Sequence, residues 1–148
     1  MTRSVPTIPL KTFREIGRNL LAKTKAGEVN WSRNTTTGVN PHDTTYEVVL
    51  PESRIVLVYG VPRAAPDTIS LQLQNLDGLV VDSWTVDEPD WGTPEGPEDL
   101  EVADPDGNWR LLYSLFSEVH RRMTKWDKVV VDVEKALTSR GIIGESKK

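Results

Sequence analysis

The sequence predicts an α+β fold in which an antiparallel meander of four to five strands carries an N-terminal helix and two C-terminal helices packed on it. Two observations lead to this fold class. Between residues 44 and 84, four short runs of apolar and β-branched residues are separated by turn-forming residues. On either side, apolar residues recur at the three- and four-residue spacing of amphipathic helices. Because the connections between the strands are short, neighbouring strands should run antiparallel.

The four strands are expected at residues 45–50, 54–59, 68–73 and 79–84. The third alternates cleanly, with Ile69, Leu71 and Leu73 on one face and polar residues on the other, so one of its faces should be buried. The first two carry apolar residues on both faces, which predicts that both faces are covered. Helices of the same chain are the preferred cover, and a second subunit is the alternative. Val29 and Trp31 are candidates for a short edge strand.

The helices are expected at residues 9–25, 107–123 and 126–139. Pro9 suits the first turn of a helix, where its missing N–H is not needed. Thr124 is expected to cap the last helix through its hydroxyl group. The residues of this last helix that are expected to face inward are Val129, Val130, Val133, Ala136 and Leu137.

The chain of 148 residues is expected to form a single domain with tails at residues 1–8 and 142–148 and an acidic, Pro-rich loop at residues 87–106. It contains no Cys, so it can form neither disulfides nor thiolate metal sites, which fits a reducing compartment. No apolar run approaches the length of a membrane span. The sequence therefore predicts a cytoplasmic protein that does not bind membranes.

Three segments occur in a characteristic order: LLAKTKAGEVNW at residues 20–31, LQNLDGLVVDSW at 73–84 and NWRLLYSLFSEVHRRMTKWDKVVVDVEKAL at 108–137. This order resembles a family of small bacterial and phage-borne proteins with an LLxKTxxGxxxW segment, a turn like that at residues 77–78, and an LYxLxxxxRR-type helix followed by a short helix. The resemblance covers about residues 10–140. It implies a sheet-plus-helices accessory domain carried on mobile elements and implies no catalytic residue. The long acidic loop and Trp126 depart from the family pattern.

No catalytic or metal-binding set can be named, so the sequence predicts a protein that is not an enzyme and needs no cofactor or metal. It lacks a Gly-rich phosphate loop, a Ser in a nucleophile elbow and paired carboxylates on a strand. Of the two histidines, His42 is expected to be a polar loop residue and His120 a solvent-facing helix residue. Asp104-x-Asp106-Gly107 lacks the closing Glu of a calcium loop and is expected to form a turn and a helix cap.

The acidic loop is the candidate contact for a protein partner. Residues 87–106 hold nine acids and no Lys or Arg, although the net charge of the whole chain is only −4. Trp is enriched at interface hot spots, so an exposed Trp91 would anchor a partner. The alternative, which the sequence leaves open, is that Trp91 folds back onto the sheet. The residues predicted to bind the partner are Trp84, Asp87, Glu88, Asp90 and Trp91.

The favoured function is a non-enzymatic protein-interaction module, an inhibitor or adaptor encoded on a phage or mobile element. The first alternative is a protein that binds or sequesters a small metabolite or nucleotide. The second is a nucleic-acid-associated factor, against which the pI of about 5.2 argues. A homodimer is also open. If the protein binds nucleic acid, the residues expected to contact phosphate are Arg121, Arg122, Lys125 and Lys128.

Overall fold

The computed structural model describes residues 7–34, 42–90 and 103–139 together with residue 141. In chain order these residues form α1 (Leu10–Lys25), β1 (Ser32–Arg33), β2 (Thr44–Val49), β3 (Ser53–Gly60), β4 (Thr68–Asn75), β5 (Val80–Asp87), α2 (Asn108–Thr124) and α3 (Trp126–Thr138). The predicted fold class, an α+β fold with an antiparallel sheet, is confirmed. Residues 1–6, 91–102 and 142–148, on which most of the predicted tails and most of the acidic loop fall, lie outside the described residues.

The five strands form one antiparallel sheet in the order β1-β2-β3-β4-β5. All four predicted strands are present, and the short edge strand lies just beyond the residues expected for it. The turn between β4 and β5 shows why the meander reverses there. The Asn75 side chain accepts hydrogen bonds from the N–H groups of Asp77 and Leu79, both at 3.0 Å. Gly78 adopts φ +87°, which is unfavourable for residues with a Cβ.

One face of the sheet supplies the hydrophobic core. The register places Tyr46 beside Leu57, Leu57 beside Leu71, and Leu71 beside Trp84, so these four side chains form a row across β2 to β5. All four are buried. The alternation of β4 places Ile69 on the same face, and it is also fully buried.

Helices α1 and α2 both pack on this face. Phe13 of α1 contacts Trp84, with ring centroids 6.1 Å apart. The two helices approach closely at Gly17, where an added Cβ would lie 3.3 Å from Leu111 of α2. Phe116 of α2 contacts the rings of Tyr46 and Tyr59 from β2 and β3. The described helices that contact the sheet therefore lie on one face of it. In this part of the chain, the expectation that helices would cover both faces is wrong.

The opposite face of the sheet carries polar residues that bond across and along the strands. Ser70 and Thr85 hydroxyl groups lie 2.8 Å apart, and Gln74 donates to Gln72. Val56 lies among these residues and is fully buried. The other apolar residues predicted on this face are less buried: Val58 is partly buried and Val49 is 55% exposed.

Helix α2 begins at a buried carboxylate. Asp104 accepts hydrogen bonds from the backbone N–H groups of Trp109 and Arg110, at 3.2 and 3.0 Å. These are N–H groups of the first helical turn, which have no partner within the helix. The Arg110 guanidinium also donates to the same carboxylate. The prediction of a helix cap at this motif is confirmed.

Helix α3 leaves the body of the protein at Lys125, which adopts φ 55° between α2 and α3. Thr124 does not cap α3 as expected, because its hydroxyl donates to the carbonyl of His120 one turn earlier in α2. Of the five residues expected to face inward on α3, Val130 and Ala136 are partly buried, whereas the expectation is wrong for the other three, which are exposed. Val129 and Val133 are about half exposed and Leu137 is 66% exposed. Among the described residues, none of the helices has the length and apolar character that crossing a bilayer requires.

Candidate functional site

Helix α2 carries a line of aromatic side chains toward β2 and β3. Trp109, Tyr113, Phe116 and His120 are spaced by three or four residues and therefore share one edge of the helix. Trp109 and Tyr113 are stacked at 5.8 Å, and Phe116 and His120 at 5.5 Å. Tyr59 closes the cluster, with its ring 4.9 Å from Phe116.

A cavity of about 520 Å³ opens beside this line of rings, and we call it the aromatic pocket. Its size lies within the range of about 300–1,000 Å³ that is usual for small-molecule sites. It lies between the exposed edge of α2, the ring of Tyr59 and the first residue of α3. The lining residues are Tyr59, Tyr113, Phe116, Ser117, His120, Arg121 and Trp126.

His120 is held in place from the sheet. The Tyr46 hydroxyl lies 2.7 Å from His120 Nδ1. A phenol is protonated at neutral pH and can donate, and burial raises the pKa of Tyr46 further. In the arrangement in which Tyr46 donates, Nδ1 accepts and the ring proton lies on Nε2. The expectation that His120 faces solvent is wrong, because the residue is half-buried and bonded to the sheet.

Tyr59 is fixed by the loop that precedes β4. Its hydroxyl donates to Asp67 Oδ2 at 2.8 Å. Burial, and then this hydrogen bond to the carboxylate, raise the pKa of Tyr59 well above its ordinary value. Tyr59 therefore lines the pocket as a neutral aromatic ring.

The four basic residues predicted as a phosphate cluster do not act as one group. The Arg121 guanidinium lies over the Trp126 ring, 5.0 Å from the centroid, at the rim of the pocket. Arg122 points elsewhere, because it donates to Glu118 and to the carbonyl of Lys25 at the end of α1. Lys125 forms the junction between the helices, and Lys128 is exposed on α3. Only Arg121 of the four lines the pocket.

An apolar stripe on α3 continues from the pocket. Trp126 belongs to both features, since it lines the pocket and is itself 49% exposed. Residues spaced by three or four along a helix share one face, so the stripe follows directly from the sequence. We call the following residues the α3 stripe: Trp126, Val129, Val133 and Leu137.

The fold sets Trp84 apart from the other described residues that are predicted to bind a partner. Trp84 is 4% exposed and packs against Phe13 in the core, so it is not a surface contact. Asp87 ends β5, and Glu88 and Asp90 follow it. Trp91 lies outside the described residues, so both of its predicted placements, exposed or folded back onto the sheet, remain predictions.

A second cavity, of about 350 Å³, lies where β3 ends and β4 begins. It is lined in part by Asp43 and Asp87, and Asp43 accepts a hydrogen bond from the N–H of Val61. His42 is exposed next to it. Among the residues that the model describes, no three His, Asp or Glu side chains come together in a geometry that could hold a metal ion.

Comparison of the chain with family models, with curated proteins and with solved structures gave no match. The aromatic pocket and the α3 stripe are therefore the features from which a function has to be argued.

Proposed function

We propose that the protein is a non-enzymatic protein-interaction module that docks α3 into an apolar groove of a partner protein. The observation that carries the proposal is the exposure of the α3 stripe. Large exposed apolar surfaces on a protein generally mark interaction sites. An amphipathic helix that presents anchors at spacings of three and four residues is a recurrent means of binding a groove.

Burial of the α3 stripe against a partner would supply enough free energy to contribute to binding. Its four side chains are each about half exposed, and complete burial would contribute roughly 3–6 kcal/mol of apolar transfer free energy. The corresponding area is roughly 120–240 Å² at about 25 cal/mol per Å². This area is not packed against the core of the protein and is in contact with water. A partner that covers it would therefore gain the corresponding free energy.

The area also favours a groove on another protein over a second copy of this chain. Two stripes laid against each other would bury roughly 250–500 Å², whereas stable interfaces bury about 1,200–2,000 Å² in total. A groove encloses the flanks of the helix as well as the stripe and thereby buries more surface. The partner is therefore expected to offer an apolar groove about as long as the α3 stripe, which spans about three turns of the helix.

Other parts of the sequence prediction belong to the same proposal. The acidic segment at residues 87–106 would form a second contact, with basic residues of the partner as its complement. We further propose that the protein acts as an inhibitor or adaptor. We also propose that it is cytoplasmic, which the absence of Cys supports. Deletion of residues 87–103 would show whether the acidic segment contributes affinity beyond that of α3.

The test compares two substitutions on the same helix. Val133 lies in the α3 stripe, whereas Val131 points to the opposite side, and both are 49% exposed. A partner captured with the unmodified chain is purified, and its affinity for each variant is measured by calorimetry. Val133→Asp should weaken binding roughly 30-fold or more, because it places a charge in the apolar contact. Val131→Asp should leave the affinity nearly unchanged.

Equal effects of the two substitutions would contradict docking through the stripe. A third outcome is self-association, in which the mass of the unmodified chain rises with concentration and Val133→Asp abolishes the rise. That result would replace the partner protein with a second copy and would contradict the area argument.

A further inference from the structure

We propose that the aromatic pocket binds a planar heteroaromatic molecule of one or two fused rings, whose ring nitrogen or carbonyl oxygen accepts a hydrogen bond from Nε2 of His120. This binding site goes beyond the proposed docking function and does not depend on it. Aromatic rings form the walls of the pocket, and the imidazole of His120 supplies the polar group that would select such a ligand.

The inner side of the pocket is a fixed aromatic surface. Phe116 and His120 lie nearly parallel, with an interplanar angle of 16° and ring centroids 5.5 Å apart. The ring of Tyr59 lies 4.9 Å from that of Phe116, and the hydroxyl bond to Asp67 holds it there. Because aromatic rings favour offset-stacked and edge-to-face contacts, this surface suits a flat ring.

The outer side of the pocket carries two aromatic side chains that are in contact with water. Tyr113 is 48% exposed and Trp126 is 49% exposed, although both line the pocket. A ligand seated against Phe116 would cover part of both side chains, and burial of apolar surface favours binding. The cavity of about 520 Å³ accommodates one or two fused rings.

The hydrogen bond between Tyr46 and His120 determines which polar atom a ligand meets. Within the part of the chain that the structure describes, the Tyr46 hydroxyl bonds to Nδ1 of His120, at 2.7 Å, and to no other group. Tyr46 is only 2% exposed, so water has little access to it. If Nδ1 carried the ring proton, the phenol proton would be left without an acceptor, which is costly in a buried position. Tyr46 therefore donates, and the proton of the neutral imidazole lies on Nε2.

The Nε2–H group of His120 is the donor that the pocket offers to a ligand. A ligand that has no acceptor leaves this donor unpaired, whereas a ring nitrogen or carbonyl oxygen pairs with it. The side chains of Phe and Trp contain no acceptor of this kind. A small heteroaromatic molecule therefore fits the pocket better than a Phe or Trp side chain inserted by a partner protein.

The test compares 7-azaindole with indole, two bicyclic molecules of the same shape that are uncharged at pH 8. They differ in one ring atom, because 7-azaindole has a nitrogen acceptor where indole has a C–H. Binding to the full chain is followed by NMR, through the indole N–H of Trp126 and the ring nitrogens of His120. 7-Azaindole should bind about three- to tenfold more tightly than indole, which is the usual net gain from one hydrogen bond. The same spectra of the free protein should show the ring proton of His120 on Nε2.

Matched variants identify the source of the preference. His120→Phe retains an aromatic ring beside Phe116 but removes both nitrogens, so the two probes should bind equally. Tyr113→Ala should weaken both probes about threefold or more without changing their ratio, because Tyr113 supplies a wall and buries apolar surface of the ligand. This second variant changes a half-exposed residue and leaves the bond between His120 and the sheet in place. Val133→Asp should not change probe binding, which separates this site from docking through α3.

Equal affinities of the unmodified chain for 7-azaindole and indole would overturn the proposal and would fit an inserted Trp side chain of a partner instead. A ring proton on Nδ1 of His120, or a preference for 7-azaindole that survives His120→Phe, would also contradict it. So would the absence of any shift at Trp126 and His120 up to millimolar concentrations of 7-azaindole.

Discussion

Replacing Asp104 by Ala should destabilise the whole domain through the start of α2. The Asp104 side chain is only 7% exposed. It accepts hydrogen bonds from the N–H of Trp109 at 3.2 Å and from the N–H of Arg110 at 3.0 Å. Helix α2 carries both the buried residues that contact the sheet and the lining of the aromatic pocket. Loss of the cap is therefore expected to affect both the hydrophobic core and the aromatic pocket.

The expected loss of stability is about 2–3 kcal/mol. The N–H of Trp109 is buried, and leaving a buried donor without an acceptor costs about 1–3 kcal/mol. The N–H of Arg110 is only partly buried, so water can replace part of its bond. The ion pair with the Arg110 side chain, which is 44% exposed, adds less than about 1 kcal/mol because solvent screens it. Helix caps elsewhere contribute about 0.5–2 kcal/mol, which is consistent with this sum.

Urea unfolding at pH 7, followed by Trp fluorescence, measures the difference directly. The matched control is Asp106→Ala in the same turn. Asp106 is exposed, and its backbone oxygen, which accepts from Arg14, survives the substitution. Asp104→Asn should fall between the two, since it retains one acceptor oxygen. A loss for Asp104→Ala within about 0.5 kcal/mol of the control would refute the capping role.

Three further predictions concern the core and its turns. Thr24→Val should cost about 1–3 kcal/mol in urea unfolding, because the buried Thr24 hydroxyl accepts the indole N–H of Trp31 at 3.0 Å; a loss below about 0.5 kcal/mol would contradict this. The raised pKa of Tyr59 means that its stabilising effect is complete below its unfolded-state pKa of about 10 and is lost as the pH rises above it. Unfolding free energies at pH 9 and pH 11 should therefore differ more in the unmodified chain than in Tyr59→Phe, and an equal pH dependence would count against it. Gly78→Ala should cost about 1–2 kcal/mol, seen as a fall in Tm, because φ is +87° while open space surrounds the added methyl group; an unchanged Tm would show that the turn can rearrange.

The elements of this fold follow from local patterns in the sequence. The alternation of Ile69, Leu71 and Leu73 with polar neighbours reports a half-buried strand, and β4 occupies that stretch. The start of α2 follows from Asp104 and Gly107 in the same way. Such signals depend on neighbours within a few residues, so a single sequence contains them completely.

The aromatic pocket depends instead on contacts between distant parts of the chain. Tyr46 and His120 are 74 residues apart, and nothing near His120 indicates that a phenol will bond to it. The line Trp109, Tyr113, Phe116 and His120 could have indicated an aromatic edge on α2. The sequence does not show which face of the sheet this edge meets. It is equally compatible with α1 and α2 on the same face and with α1 and α2 on opposite faces.

The exposure of α3 was missed for a different reason. The helical period predicts the stripe, but an amphipathic period shows only that a face is apolar and does not show what covers it. The direction of α3 is set at Lys125, a residue other than Gly with φ 55°. Positive φ is uncommon for such residues, so this turn could not be predicted from the sequence.

The most direct test of the account is photo-cross-linking in cells from positions 133 and 131. A benzophenone amino acid is introduced separately at each position, where the native valines are equally exposed at 49% on opposite sides of α3. Docking through the α3 stripe predicts one discrete adduct with a partner protein from position 133 and none from position 131. The same adducts from both positions, or none from position 133, would contradict it.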